Sequence, residues 1–273
     1  MEGCKFHTDV PANTPSHGEL VEGGTHKTVT STVLETASGL LQSFAPLHQI
    51  HEYLCAFHFY SNDMTRQVEA HHYCAHVNED VRQCLIYDSG EASARLIGVE
   101  YVISERLFDA CHFLNHSLFF SLRPPGLPEE EKKYWHSHNY EVKSGQLVMP
   151  MPSLTPSSVV KSAEKLALEK LVPTYGKTWH LWQVDKGDTL PMGPAQLMMS
   201  FTGDHQVKSS LLLNRDQRLG VDTEKKRIER QDIPSHQPHP GADHWQEGAD
   251  GKEGTAWQVK MEPTKFKRAN PTL

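Results

Sequence analysis

With 273 residues, 37% of them hydrophobic, and a mean hydropathy of −0.55, the chain is long enough for one large domain but too polar for all of it to build a core. A formal charge of −7 with scattered basic residues excludes a nucleic-acid partner, which needs a basic face. No apolar run reaches the length of a transmembrane segment.

Residues 1–30 are rich in Thr, Ser, Gly, Pro and His without periodicity and read as a mobile N-terminal arm. Thr32 and Glu35 have capping-box spacing, and Val33, Ala37, Leu40, Leu41 and Phe44 form an apolar stripe suited to packing on a sheet, so a helix is predicted up to Pro46. Four strands follow, over 53–60, 68–76, 82–87 and 95–103, separated by turn residues such as Asn62-Asp63 and Asn78-Glu79-Asp80. Short connections favour antiparallel neighbours. A short helix over 104–110 has Ser104 at its N-cap, and 136–142 alternates as a strand. Thr155 and Pro156 then open a helix with Val159, Val160, Ala163, Leu166, Ala167 and Leu171 on one side, stopped by Pro173. Strands over 179–184 and 197–201 complete the set. These elements predict an α+β domain over 31–203, with a mainly antiparallel, histidine-rich sheet and flanking helices. Residues 204–273 are predicted to be a polar tail, extended or partly disordered, because their apolar content cannot offset the entropy of ordering.

Ten of the 18 histidines fall between His48 and His138. Alternate strand residues share a face, so His72, Cys74 and His76 point one way, and His136 and His138 do the same on another strand. Imidazole and thiolate suit zinc or another divalent metal, and two such strands side by side supply three or four ligands. Glu141 and Glu69 are the candidate proton carriers beside a metal-bound water. His71 points opposite to His72 and is left out. The alternative is that these are half-buried sheet residues, with Cys55, Cys74 and Cys84 as small core side chains. No CxxC, HExxH, nucleophile elbow, P-loop or dinucleotide motif is present. His136-Ser137-His138 followed by Glu141 is similar to the metal motif of cupins, but the glutamate comes too early.

Five cysteines without framework spacing, and opening residues without an apolar leader, predict free thiols and a cytoplasmic chain attached to surfaces at most peripherally.

Residues 47–88 (LHQIHEYLCAFHFYSNDMTRQVEAHHYCAHVNEDVRQCLIYD), 94–109 (ARLIGVEYVISERLFD) and 129–145 (EEEKKYWHSHNYEVKSG) resemble the plant oil body-associated protein family. The resemblance continues through 175–200 and 215–230 and covers 40–230. It implies a domain of unknown function, found also in fungi and bacteria, on or near lipid droplets and without the hydrophobic hairpin of oleosins. No catalytic residue is carried over with it. The family pattern passes almost directly from the ERLFD string to LPxEEK, so residues 111–126 are an atypical insertion. Its Phe119 and Phe120 would touch a lipid surface, while Cys111, His112 and His116 are kept out of any site.

Three functions follow: peripheral association with the lipid-droplet surface, a zinc-type enzyme built on the strand histidines, or a small-molecule pocket lined by Tyr53, Phe57, Tyr73, Trp135 and Tyr140.

Overall fold

The computed structural model describes residues 24–109, 126–151, 157–246 and 254–267. Strands β1 (Glu52–Tyr60), β2 (Asp63–Asn78), β3 (Val81–Tyr87) and β4 (Leu96–Ser104) form an antiparallel meander. A two-residue strand, β5 (His136–Ser137), precedes β6 (Thr174–His180) and β7 (Gln196–Ser200). β6 pairs with β4 over its whole length, and β7 joins β6 to β1. Six strands thus close into an antiparallel barrel with no free edge between β4 and β1. The short β5 pairs with the start of β6, where β7 does not reach.

This overturns the expected α+β architecture. The protein is mostly β, and its helices are few and short beside the barrel. They are α1 (Val29–Leu41), α2 (Glu105–Phe108), α3 (Glu129–Lys132), α4 (Asn139–Lys143), α5 (Ser157–Leu171), α6 (Ser209–Leu219) and α7 (Thr223–Glu229). Strands apolar on both sides suggested a sheet covered by helices. Here one side faces the lumen, and the other is covered piecemeal by α6 and by residues 230–246.

Local differences have local causes. α1 begins earlier than expected, because the Thr28 hydroxyl accepts from the Ser31 amide at 3.1 Å, and the helix buries none of its residues. The strand expected over 136–142 stops after Ser137 and gives way to α4. The Ser137 amide and hydroxyl donate to the buried Asp243 carboxylate at 3.0 and 2.7 Å. Thr155, Pro156 and the insertion up to residue 125 lie outside the described residues. Among the described side chains of α5 the buried positions are Glu164, Leu168 and Leu171, whereas Ala163 and Leu166 are exposed. The stripe is rotated because Glu164 accepts a 2.6 Å bond from Arg230.

The segment after Gly203, expected to be extended, carries α6 and α7 and docks through buried arginines. Arg215 donates to the Gln146 carbonyl at 2.6 Å, and Arg230 to the Val142 and Leu147 carbonyls at 2.8 and 2.7 Å. Charge-assisted bonds to backbone carbonyls replace the missing apolar burial. Outside the barrel, Phe57, Phe59, Leu197, Met199 and Phe201 pack under α6 and Trp245.

Candidate functional site

The barrel is narrow enough for side chains to fill it. Strand alternation sends Leu54, Ala56, His58 and Tyr60 of β1 inward, opposite His72, Ala70, Val68 and their neighbours on β2. One end is sealed by an apolar layer containing Leu54, Ala56 and Val102 with Leu168 and Leu171 of α5. A second layer of Tyr60, Val68, Ala70, Ile86 and Met198 seals the other. Between them lies a polar belt of His58, His72, Glu100, His136, His138 and His180, each at most 4% exposed.

Glu100 is the centre of the belt. His72 Nε2 stands 3.1 Å from Oε2, while His136 Nε2 and His138 Nε2 stand 3.2 and 3.6 Å from Oε1. These contacts are close but poorly aligned: Glu100 Oε1 and both nitrogens of His136 have no hydrogen-bond partner among the described residues. A buried polar atom left that way costs about 1–3 kcal/mol, so the belt is expensive as it stands. Gly176 of β6 makes the convergence possible. A Cβ there would collide with Glu100 Oε1 and lie 2.6 Å from His136 Nε2. His138 is fixed from behind. Thr174 Oγ1 donates to the Leu171 carbonyl at 2.6 Å, so it accepts from His138 Nδ1 at 2.9 Å.

Burial alone would raise the Glu100 carboxyl, but the imidazoles of His136, His138 and His72 hold it well below the usual carboxylate range. Glu141, also in the belt, is pushed well above that range by burial and by the nearby Glu100 charge. Burial drives His180 down to about 3 and lowers His58 strongly, so both are neutral; His58 Nδ1 and His180 Nε2 share one proton at 3.2 Å. Donor atoms of His58, Glu100 and His136 lie within 4.8 Å of one another, as do those of His136, His138 and Glu141. The cavity beside Glu100 measures about 10 Å³ and is lined by His58, His72, His138, Glu141, the Glu52 and Arg82 ion pair, the Cys74–Cys84 disulfide and apolar neighbours. That is room for about one water molecule, and none for an organic substrate.

Residues 44–234 match the family described as "Protein of unknown function (DUF1264)". The chain is 48% identical over 213 residues to oil body-associated protein 1B of Arabidopsis thaliana, covering 78% of each chain. It is also 48% identical over 225 residues to oil body-associated protein 1A of Zea mays, covering 82% of each. This chain belongs to the oil body-associated protein family. A more distant member, oil body-associated protein 2A of Zea mays, is 38% identical over 252 residues, 91% of this chain and 89% of its own. No solved structure matches the chain.

In this oil body-associated fold, three of the five candidate metal ligands, His72, His136 and His138, meet at Glu100. The other two do not. Cys74 is bonded to Cys84 across β2 and β3, where the two face each other directly, so the free thiols expected at these two positions are not the state seen, whereas Cys55 is free. His76 lies at the mouth of the barrel, 3.5 Å from Glu52, which is bound by Arg82 at 3.0 Å. Of the two candidate carboxylates, Glu141 is inside the belt, whereas Glu69 faces outward with His71, Cys55 and Arg218. The aromatic side chains of the expected pocket are dispersed. Tyr53 and Tyr73 stack on each other at 4.8 Å, Phe57 and Tyr140 belong to one outer cluster and Trp135 to another.

Sequence reasoning missed Glu100, His58 and His180. Their signal was parity: Glu100 falls between Gly98 and Val102, and His58 between Ala56 and Tyr60, in rows that are otherwise small or apolar. A second His/Glu group, Glu105 with His236 and His239, sits half-exposed on the outside, with His239 Nε2 2.6 Å from Glu105 Oε1 and Nδ1 3.2 Å from Asp109.

Proposed function

We propose that this chain resides peripherally on the cytoplasmic surface of oil bodies, as a lipid-droplet-associated protein with no catalytic role needed for that association. The observation that carries the reading is kinship: relatives named for oil body association share 48% identity with it over about four-fifths of the chain. α1 supports the same reading. It was expected to pack on a sheet, yet its apolar side faces solvent, with Val29, Leu40 and Leu41 at 83, 82 and 85% exposure. Ser31 and Ser38, two turns apart along the helix, are its least exposed positions. Its one charged residue, Glu35, is paired with Lys27 at 2.9 Å. A helix with a hydroxyl-rich polar face has little attraction for charged headgroups and binds by inserting its apolar face where lipid packing is loose. Among the described residues no helix is long and apolar enough to cross a membrane.

Flotation tests this. The full chain is mixed with droplets of triolein under a phosphatidylcholine monolayer and centrifuged. The chain is expected to float, with little loss at raised salt. A Leu34→Glu, Leu41→Glu double variant forfeits the burial of two leucines, about 3 kcal/mol or more, and its partition falls about 100-fold. A wild-type chain that stays below the droplets overturns the reading, and a double variant that floats equally well removes α1 from it.

A further inference from the structure

We propose that the outside of the barrel carries a site for one divalent transition-metal ion, of the zinc type, ligated by His236, His239 and the carboxylate of Glu105. This goes beyond droplet association and does not depend on it.

Convergence is the first argument. Nε2 of His236 and Nε2 of His239 stand 3.6 and 2.6 Å from the same oxygen, Glu105 Oε1. One donor atom from each of the three residues lies within 4.8 Å of the other two. Ligands about 2.0–2.2 Å from a zinc ion are about 3.0–3.6 Å from one another. The two rings must therefore close slightly, and Glu105 must draw back from His239 by less than about 1 Å. Its side chain is 43% exposed and has solvent to move into. Without metal, the 2.6 Å contact is a hydrogen bond between imidazole and carboxylate; an ion takes the place of that proton, which leaves to solvent.

The second argument is that groups other than ligands hold the histidines in place. The His236 amide donates to Asn139 Oδ1 at 2.9 Å, and the His239 amide to the Tyr175 hydroxyl at 3.0 Å. Pro238 and Pro240 restrict the chain on both sides of His239. The Tyr175 hydroxyl also reaches His236 Nε2 at 3.3 Å, the longest of these contacts and the one an ion displaces. Glu105 opens α2, its amide bound to the Pro173 carbonyl at 3.0 Å. Third, Asp109 Oδ2 stands 3.2 Å from His239 Nδ1, where an outer carboxylate orients a ligating imidazole. Lys132, 3.6 Å from the other Asp109 oxygen, is the one cation paired with that carboxylate among the described lysines and arginines.

The donor set decides the ion. Two imidazoles and one carboxylate suit zinc and its first-row neighbours over calcium or magnesium, which take oxygen ligands. Because all three side chains are partly exposed, the fourth position of such a site goes to water. The ion would staple residues 134 apart in the chain, holding the segment after α7 over the Phe108, Trp135 and Tyr175 cluster.

The test uses the full chain, purified without a histidine tag, stripped with a chelator and titrated with zinc by calorimetry. One zinc is expected at this site, and the thermal unfolding midpoint is expected to rise with it. A His236→Ala, His239→Ala double variant should lose that zinc and that rise together. Glu105→Gln keeps both imidazoles and should weaken binding more than about 10-fold; it carries the test if the double variant is not folded by circular dichroism. His76→Ala, at the barrel mouth, should leave stoichiometry and affinity unchanged. A folded wild-type chain that takes up no zinc overturns the proposal and leaves His239 as an imidazolium held between Glu105 and Asp109. Zinc bound equally well by the double variant and by Glu105→Gln also overturns it, as does zinc lost with His76→Ala.

Discussion

Glu69 and Glu100 are both strand carboxylates with an imidazole at ion-pair distance, one on the outer wall of the barrel and one in its lumen. Glu69 stands 2.9 Å from His71 Nε2, accepts from the Cys55 thiol at 3.2 Å and is gripped by Arg218, which arrives on α6. Burial would raise its carboxyl, but the neighbouring His71 and Arg218 bring it down to about 2. Glu100 has three imidazoles and, among the described residues, no guanidinium or ammonium at ion-pair distance. The outer wall thus neutralises its carboxylate with a permanent cation. Around Glu100 the groups are cationic only when protonated. Adjacent residues, His71 and His72, serve the two regimes because one step along a strand changes the face.

Glu100→Ala should have the largest effect, about 3–5 kcal/mol lost in urea unfolding at neutral pH, because it strands a buried cluster built around one charge. If it costs no more than a substitution at Glu69, the lumen carboxylate is not the centre of the belt. Glu69→Gln should cost about 2–3 kcal/mol at pH 7. Since the folded carboxyl titrates at about 2 against an ordinary 4.5, its contribution is complete above pH 4.5 and is lost as pH falls toward 2. Unfolding midpoints of wild type and Glu69→Gln should therefore converge as pH approaches 2. Gly176→Ala should lose about 1–3 kcal/mol by overpacking, and a shift in the His136 ring resonances would report the displaced contact. Arg218→Lys keeps the outer cation on a partly exposed side chain and should cost less than about 1 kcal/mol.

What was legible in the residues follows the range of the interactions. β1 to β4 are hairpin-connected, so alternation and the turns at Asn62-Asp63 and Glu79-Asp80 place them to within a few residues, though β2 runs longer than its alternation suggested. Closure was not legible, because it depends on residues 98–104 meeting 174–180, and nothing local in either segment says what fills its second edge. The candidate site divides the same way. Parity puts His72 on the inward face, but a carboxylate in a strand such as IGVEYVIS reads as solvent-facing until closure turns that row into a lumen. The disulfide of Cys74 becomes visible only with the register that sets it opposite Cys84. Helices α6 and α7 were hidden by composition, because Arg215 and Arg230 are anchored by carbonyls that no hydropathy count records.

The pairing of His58 in β1 with Ser200 in β7 has a consequence for how the protein is made. On the ribosome the meander β1 to β4 emerges first, with one edge of its first strand and one edge of its last unpaired, and it must wait for β6 and β7 before either is satisfied. Such open edges recruit other chains. The interval between synthesis of β4 and of β7 is therefore when the nascent protein most needs a chaperone. The polar belt cannot assemble earlier either, because His136 and His180 reach it only with β5 and β6.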